Sequence, residues 1–153
     1  MTQGGDHAAT NRLKLALGSI AAVTTPSWAV ESASQVTLYK DAQCGCCGAY
    51  ADYLHDNGFT VAIVETPHLP MMYARYSVSS AFQSCHLATV DRYVAIGHIP
   101  VEVIKRMLAE QPAITGITLP GMPAGSPGMG GSKTEPFKIY ALGDGPPKLY
   151  ATD

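Results

Sequence analysis

Charge is scarce in this 153-residue chain. Lys, Arg, Asp and Glu make up 14% of it against 46% hydrophobic residues, and the net charge is −2. A disordered chain needs the reverse, low hydrophobicity and high charge, so disorder is excluded as the general state. Clusters of Lys and Arg are also missing. With a slight net acidity, that excludes a surface built to neutralise nucleic-acid phosphates. No apolar run reaches the ~20 residues that span a bilayer, so no membrane span is expected. No Cys precedes Cys44, which removes the attachment point of a lipoprotein anchor. No internal repeat is visible, and the length favours one domain over two. What the chain has in quantity is breakers, Gly 15 and Pro 11, which predict substantial loops. It also has four cysteines, three of them within four residues.

The first 29 residues read as a leader. Arg12 and Lys14 precede a short apolar run over 15–23, followed by Pro26 and then by Ser27-Trp28-Ala29. Positive charge, a short apolar core, a breaker and small residues at −3 and −1 are the order that a secretory signal peptide requires. The competing reading is an amphipathic N-terminal helix. Cleavage after Ala29 leaves 30–153 as one domain. It removes Asp6, Arg12 and Lys14 and so moves the net charge from −2 to −3. Export predicts a location outside the cytosol, in a bacterial periplasm, where disulfides persist.

Along the mature chain, residues 35–39 alternate polar and apolar and predict a strand. Residues 44–57 carry Tyr50, Tyr53 and Leu54 at helical spacing, and Asn57-Gly58 is a natural stop. Residues 59–64 predict a second strand, giving strand–helix–strand, a right-handed βαβ unit. A short helix follows over 69–76, with Met71 and Met72 expected in the core, and then a polar loop over 77–84. Two short strands are expected over 87–90 and 93–96. Pro100 then opens a helix to about 110, with Val103, Ile104, Met107 and Leu108 inward. Residues 112–136, rich in Gly, Pro and Ser, read as one long loop, and long loops are usually functional or disordered. Residues 137–142 and 148–151 predict a C-terminal hairpin.

Cys44-Gly45-Cys46-Cys47 follows the first strand and opens the helix. Cys44 and Cys47 have the C-x-x-C spacing, which places two sulfurs one turn apart. A helix N-terminus stabilises thiolates through its unpaired N–H groups and dipole. Both disulfide exchange and metal binding use the thiolate, so strand–CxxC–helix signals a thioredoxin-like site. Cys46 complicates a pure redox reading. It adds competing pairings for exchange, whereas for a metal it is a third soft ligand, of the kind that selects Cu(I), zinc or an iron–sulfur cluster. Cys85 sits with His86 before a strand. In a thioredoxin-like topology that loop packs against the start of the CxxC helix. Cys85 is then a fourth ligand, a resolving thiol, a buried structural Cys or half of a disulfide. Four cysteines allow three complete pairings, and spacing does not separate them.

His86 and His98 bracket the predicted hairpin, and either can offer imidazole to copper or zinc. A lone His is more often structural, but the adjacency to Cys85 favours His86. His55 and His68 read as solvated. Met122 and Met129 lie in the long loop with few apolar neighbours, unlike a core Met. A thioether is a soft, uncharged ligand suited to Cu(I) in an oxidising compartment. The plainer reading is that these methionines pin the loop to the core.

The blocks Tyr39-Lys40, Cys44-Gly45-Cys46-Cys47-Gly48, Ser84-Cys85-His86, Gly97-His98-Ile99-Pro100 and Gly121-Met122-Pro123 to Gly128-Met129 occur in one order. In this the chain resembles the CopG-type copper-resistance proteins over about residues 35–142. The resemblance implies a thioredoxin-like α/β fold, a central mixed sheet flanked by helices. It also implies copper bound through cysteine sulfur, a role in copper tolerance, and a redox role between Cu(I) and Cu(II). By position, Cys44, Cys46, Cys47 and Cys85 would be the sulfur donors. His86, His98, Met122 and Met129 would be auxiliary ligands or lie just behind them. One departure is visible: the stretch over 71–83 is unusually rich in Tyr and Ser, with Tyr73 and Tyr76 among them.

Three functions follow for test. A periplasmic copper protein, holding Cu(I), exchanging it with other copper-handling proteins or interconverting Cu(I) and Cu(II), uses every unusual feature. A thiol–disulfide oxidoreductase or isomerase uses Cys44 and Cys47 but leaves Cys46 and the methionine loop without work. A structural zinc domain that binds a protein partner accounts for the cysteines alone.

Overall fold

The structure, a computed structural model, describes Met1, Gly4 and residues 34–153. The expected leader and its cleavage point, apart from Met1 and Gly4, lie outside the described residues. The elements run β1 Gln35–Lys40, α1 Cys46–Asp56, β2 Thr60–Glu65, α2 Leu69–Arg75, a 3-10 turn Ser80–Phe82, β3 His86–Val90, β4 Tyr93–Ile96, α3 Val101–Glu110, β5 Gly116–Thr118, β6 Lys138–Leu142 and β7 Lys148–Thr152.

The seven strands form one mixed sheet in the order β2-β1-β3-β4-β5-β6-β7. β1 and β2 are parallel, as are β4 and β5, and the other pairs are antiparallel. The expected strand–helix–strand unit is thus β1–α1–β2, with Val36 beside Val61 and Leu38 beside Ile63. The C-terminal hairpin is β6–β7.

Successive strand residues face opposite sides of a sheet, and two apolar layers result. Cys47, Tyr50, Ala51 and Leu54 of α1 and Val101, Val103, Ile104 and Met107 of α3 pack with Val36, Leu38, Ala88, Ala95, Ile117 and Ile139. Leu69 and Tyr73 of α2 pack with Leu87, Val94, Ile96 and Leu142. β3 and β4, covered on both sides, are buried nearly throughout, as sheet centres are.

Two expectations are corrected. Residues 112–136 are not all loop, because β5 lies within them. Three residues are too few to show a period. They pair because Gly116 lets the backbone close on the Val94 carbonyl, which occupies the place a Cβ would take. Met71 is not in the core: it is 70% exposed, and Met72 is half-buried. A two-turn helix offers its sheet one narrow stripe, which Leu69 and Tyr73, four apart, already fill.

Candidate metal centre

The sulfurs meet where the ends of β1, α1 and β3 come together. After β1 the chain turns on Asp41: its Oδ1 accepts from the Gln43 N–H at 2.8 Å, and its carbonyl accepts from the Cys44 N–H at 3.0 Å. Helix α1 begins at Cys46 with no side-chain cap and no acidic residue in its first turn. Its positive end is therefore left for the thiols. The Asp41 N–H also donates to the Cys85 carbonyl at 3.2 Å, which ties the segment before β3 to the same corner.

All four cysteine sulfurs lie within 4.8 Å of one another. Of the open pairings, Cys44 with Cys47 is the one formed, a disulfide with a Cα–Cα distance of 5.6 Å. Cys46 and Cys85 are free and half-buried. Cys85 Sγ stands 2.8 Å from Cys44 Sγ and 3.5 Å from Cys47 Sγ, and Cys46 Sγ is 3.8 Å from Cys44 Sγ. Burial raises the Cys85 thiol pKa, and the neighbouring Cys46 raises it further, because two thiolates at this range repel.

Met122 joins the cluster. Its Sδ accepts from the Cys85 thiol at 3.5 Å. Met122 has φ 41°, a left-handed conformation uncommon outside Gly and Asn. The loop thus holds a strained residue so that its thioether turns inward. Further along, a Cβ on Gly128 (φ +74°) would lie 2.7 Å from the Tyr50 nitrogen, so this loop rests directly on α1. Met129 is only half-buried, and among the described residues its thioether contacts none of these sulfurs.

Both candidate histidines are fully buried. His86 Nδ1 is 3.5 Å from Cys47 Sγ. His98 lies behind it, ring centroids 5.2 Å apart, and Tyr50 stacks on His98 at 4.7 Å. His98 Nδ1 is 2.6 Å from the Pro127 carbonyl. A carbonyl only accepts, so Nδ1 carries the proton and Nε2 keeps a bare lone pair. Nε2 of both rings is buried with no hydrogen-bond partner among the described residues. Burial, with the charge of His98 next, lowers the His86 pKa to about 3, and burial lowers that of His98 too. A neutral imidazole with one nitrogen fixed on a backbone carbonyl and the other unpaired is the form that ligates a metal. His55 and His68 are exposed, as expected.

The structure therefore brings together Cys44, Cys46, Cys47, Cys85, Met122 and His86, sets His98 one ring behind, and leaves Met129 aside. Two contributors were not singled out from sequence. Tyr50 walls the imidazoles, and its hydroxyl donates to the Ile99 carbonyl at 2.9 Å. Tyr73 bonds the backbone around Cys85. Both are tyrosines at core-facing helical positions, and only their hydroxyl partners, distant in sequence, reveal the second duty.

A seven-stranded mixed α/β protein with a part-buried four-cysteine centre is the class this geometry defines, and solved structures similar to it exist. Two of them, named copper resistance protein CopG form 1 and form 2, are each 30% identical to this chain. They cover 78% and 79% of it and 96% and 98% of their own length, with TM-scores of 0.71 and 0.72. A family described as "Protein of unknown function, DUF411" matches residues 82–129, the stretch from before Cys85 to Met129. No curated protein matches the sequence. The chain belongs to the CopG family of copper resistance proteins. Among the described residues no helix is long and apolar enough to cross a membrane.

Proposed function

We propose that this protein binds Cu(I) in the periplasm through its cysteine cluster, serves copper tolerance and interconverts Cu(I) and Cu(II). The observation that carries the reading is the convergence of four cysteine sulfurs within 4.8 Å, with the Met122 thioether 3.5 Å from one of them. Thiolate and thioether are the donors that favour Cu(I). The copper resistance names of the structural relatives support the choice of copper over zinc.

In this proposal the disulfide is the closed form of the site. Taking up two electrons and two protons opens it to two thiols, and loss of those protons gives the thiolates that ligate. His98 would supply a nitrogen donor through Nε2, His86 one through Nδ1, the nitrogen that faces Cys47, and Met122 a thioether. Met129 has least support, since it stands apart. We extend the reading to export by cleavage after Ala29, and to a thioredoxin-like ancestry in which β1–α1–β2 carries the CxxC step.

A thiol–disulfide oxidoreductase is favoured by one observation, the Cys44–Cys47 disulfide itself. Against Cys85 as its resolving thiol stands the approach angle. A thiolate attacks along the S–S axis, and with a bond of about 2 Å an in-line Cys85 would lie about 4.8 Å from Cys47. It lies at 3.5 Å, beside the bond, as ligands of a common ion do.

The test is Cu(I) titration of reduced protein against single Cys→Ser variants. Loss of tight binding in the Cys46→Ser and Cys85→Ser proteins is expected. Binding no tighter in the wild type than in a protein lacking all four cysteines would sink the copper reading. Insulin reduction that needs Cys44 and Cys47 but not Cys46 would support the oxidoreductase instead.

A further inference from the structure

Cys85 is held by neither a helix nor a strand and, unlike Cys44, by no disulfide. Cys46 and Cys47 are in α1, and Cys44 is in the turn before it, tied by the disulfide. Cys85 sits in a bend between the 3-10 turn and β3, one residue past the ladder, where the Asp41 N–H still holds its carbonyl. The peptide plane before it needs another hold, because a rotation there would carry its sulfur away from Cys44.

The backbone around it is held by a side chain from the other face of the sheet. Tyr73 of α2 is 3% exposed, and its hydroxyl is 2.8 Å from the Ser84 carbonyl and 2.8 Å from the His86 carbonyl. Its single proton is shared between these two acceptors. Its oxygen in turn accepts from the Ser84 N–H at 3.4 Å. The carbonyl between them, that of Cys85, accepts from Asp41. Three consecutive carbonyls, at 84, 85 and 86, thus have named donors, and both peptide planes flanking the Cys85 Cα are fixed.

We infer that Tyr73 is a positioning residue. Through the carbonyls of Ser84 and His86, its hydroxyl sets where the Cys85 sulfur stands relative to the other three sulfurs. The consequence for copper rests on the function proposed above, but the positioning itself does not. It also gives a task to one tyrosine of the Tyr- and Ser-rich stretch over 71–83. Tyr73 is placed on the other face of the sheet and, among the described residues, makes no hydrogen bond to a sulfur, so its hold on the site runs through the backbone around Cys85.

The experiment uses the full chain and Tyr73→Phe, which keeps the ring in the core and removes only the hydroxyl. In a Cys46→Ser background with the Cys44–Cys47 disulfide formed, Cys85 is the remaining free thiol. Its alkylation by iodoacetamide is expected to quicken several-fold on Tyr73→Phe. Leu69→Ala, which loosens the same helix face without touching the hydroxyl, is expected to lower Tm at least as much and leave that rate unchanged. With all cysteines present and reduced, Tyr73→Phe is expected to weaken Cu(I) binding about tenfold, the scale of residues that orient ligands. In a Cys85→Ser background it should have no further effect. Equal alkylation rates with and without Tyr73→Phe overturn the inference, as does a rate that follows Tm across both helix variants. A wild type that binds no Cu(I) overturns the copper function and leaves the alkylation result to decide the positioning. One measurement needs no variant: the Ser84 amide, whose acceptor is the Tyr73 oxygen, should exchange slowly in the wild type, and free exchange there also overturns it.

Discussion

Cys85 Sγ stands 2.8 Å from Cys44 Sγ across 41 residues of chain, and that pair joins the two halves of the site. One sulfur comes from the turn before α1 and the other from the bend before β3. Removing either is expected to reduce Cu(I) affinity by more than about tenfold, about 1.4 kcal/mol. Met129→Leu, altering a thioether that contacts none of the sulfurs, is expected to change it less than about twofold. Competition with a Cu(I) chelator gives both numbers, and equal losses for Cys85→Ser and Met129→Leu would contradict the site as drawn.

Reduction should cost stability before metal restores it. The Cys44–Cys47 bridge closes a very short loop, for which the chain-entropy relation gives about 2 kcal/mol. Denaturant unfolding of oxidised and reduced protein measures that difference. Adding Cu(I) to the reduced protein is expected to recover it, and no recovery would mean that the metal does not bind the folded chain.

Acid should weaken the metal-free fold through the buried histidines. His86 has its pKa lowered to about 3 by burial, with the charge of His98 second, against about 6.5 in the unfolded chain. Its contribution is fully present above about pH 6.5 and is lost as pH falls from there towards about 3, at about 1.4 kcal/mol per pH unit. Stability curves at several pH values for wild type and His86→Gln test this. The variant should show a shallower slope in that window, and parallel curves would remove His86 as the cause.

The methionine loop should depend on its glycine. Gly128→Ala places a methyl against the Tyr50 nitrogen and asks Ala to adopt φ +74°, a strain of about 1–3 kcal/mol. The loop is expected to lift from α1, so Cu(I) affinity should fall by as much as is expected on Met122→Leu. An unchanged affinity would show that the loop does not hold the thioether in place.

The Tyr50 hydroxyl donates to the buried Ile99 carbonyl. Tyr50→Phe leaves that carbonyl unpaired, at about 1–3 kcal/mol. Thermal unfolding measures the loss, and a Tm equal to the wild type would mean that the carbonyl finds another donor.

Much of this protein was legible in its residues alone. Alternation over β1, helical spacing over α1 and α3, and Pro100 before α3 are local signals, and the elements formed within a residue or two of them. The C-x-C-C step, the Cys85-His86 pair and the methionine loop marked the donors by chemical type, because softness and charge belong to the side chain itself. Their arrangement was not legible. Which cysteines pair, which methionine turns inward, and whether an imidazole is solvated or buried all depend on distances between segments far apart in sequence. Met71 shows the limit from the other side: its helix is real, but the sheet decides which stripe of that helix is buried. β5 is three residues that only its neighbours make a strand. Composition and local pattern thus determined the elements and the ligand chemistry. Tertiary packing decided which sulfurs meet, because only the sheet, through Asp41 and Tyr73, brings the bend before β3 to the start of α1.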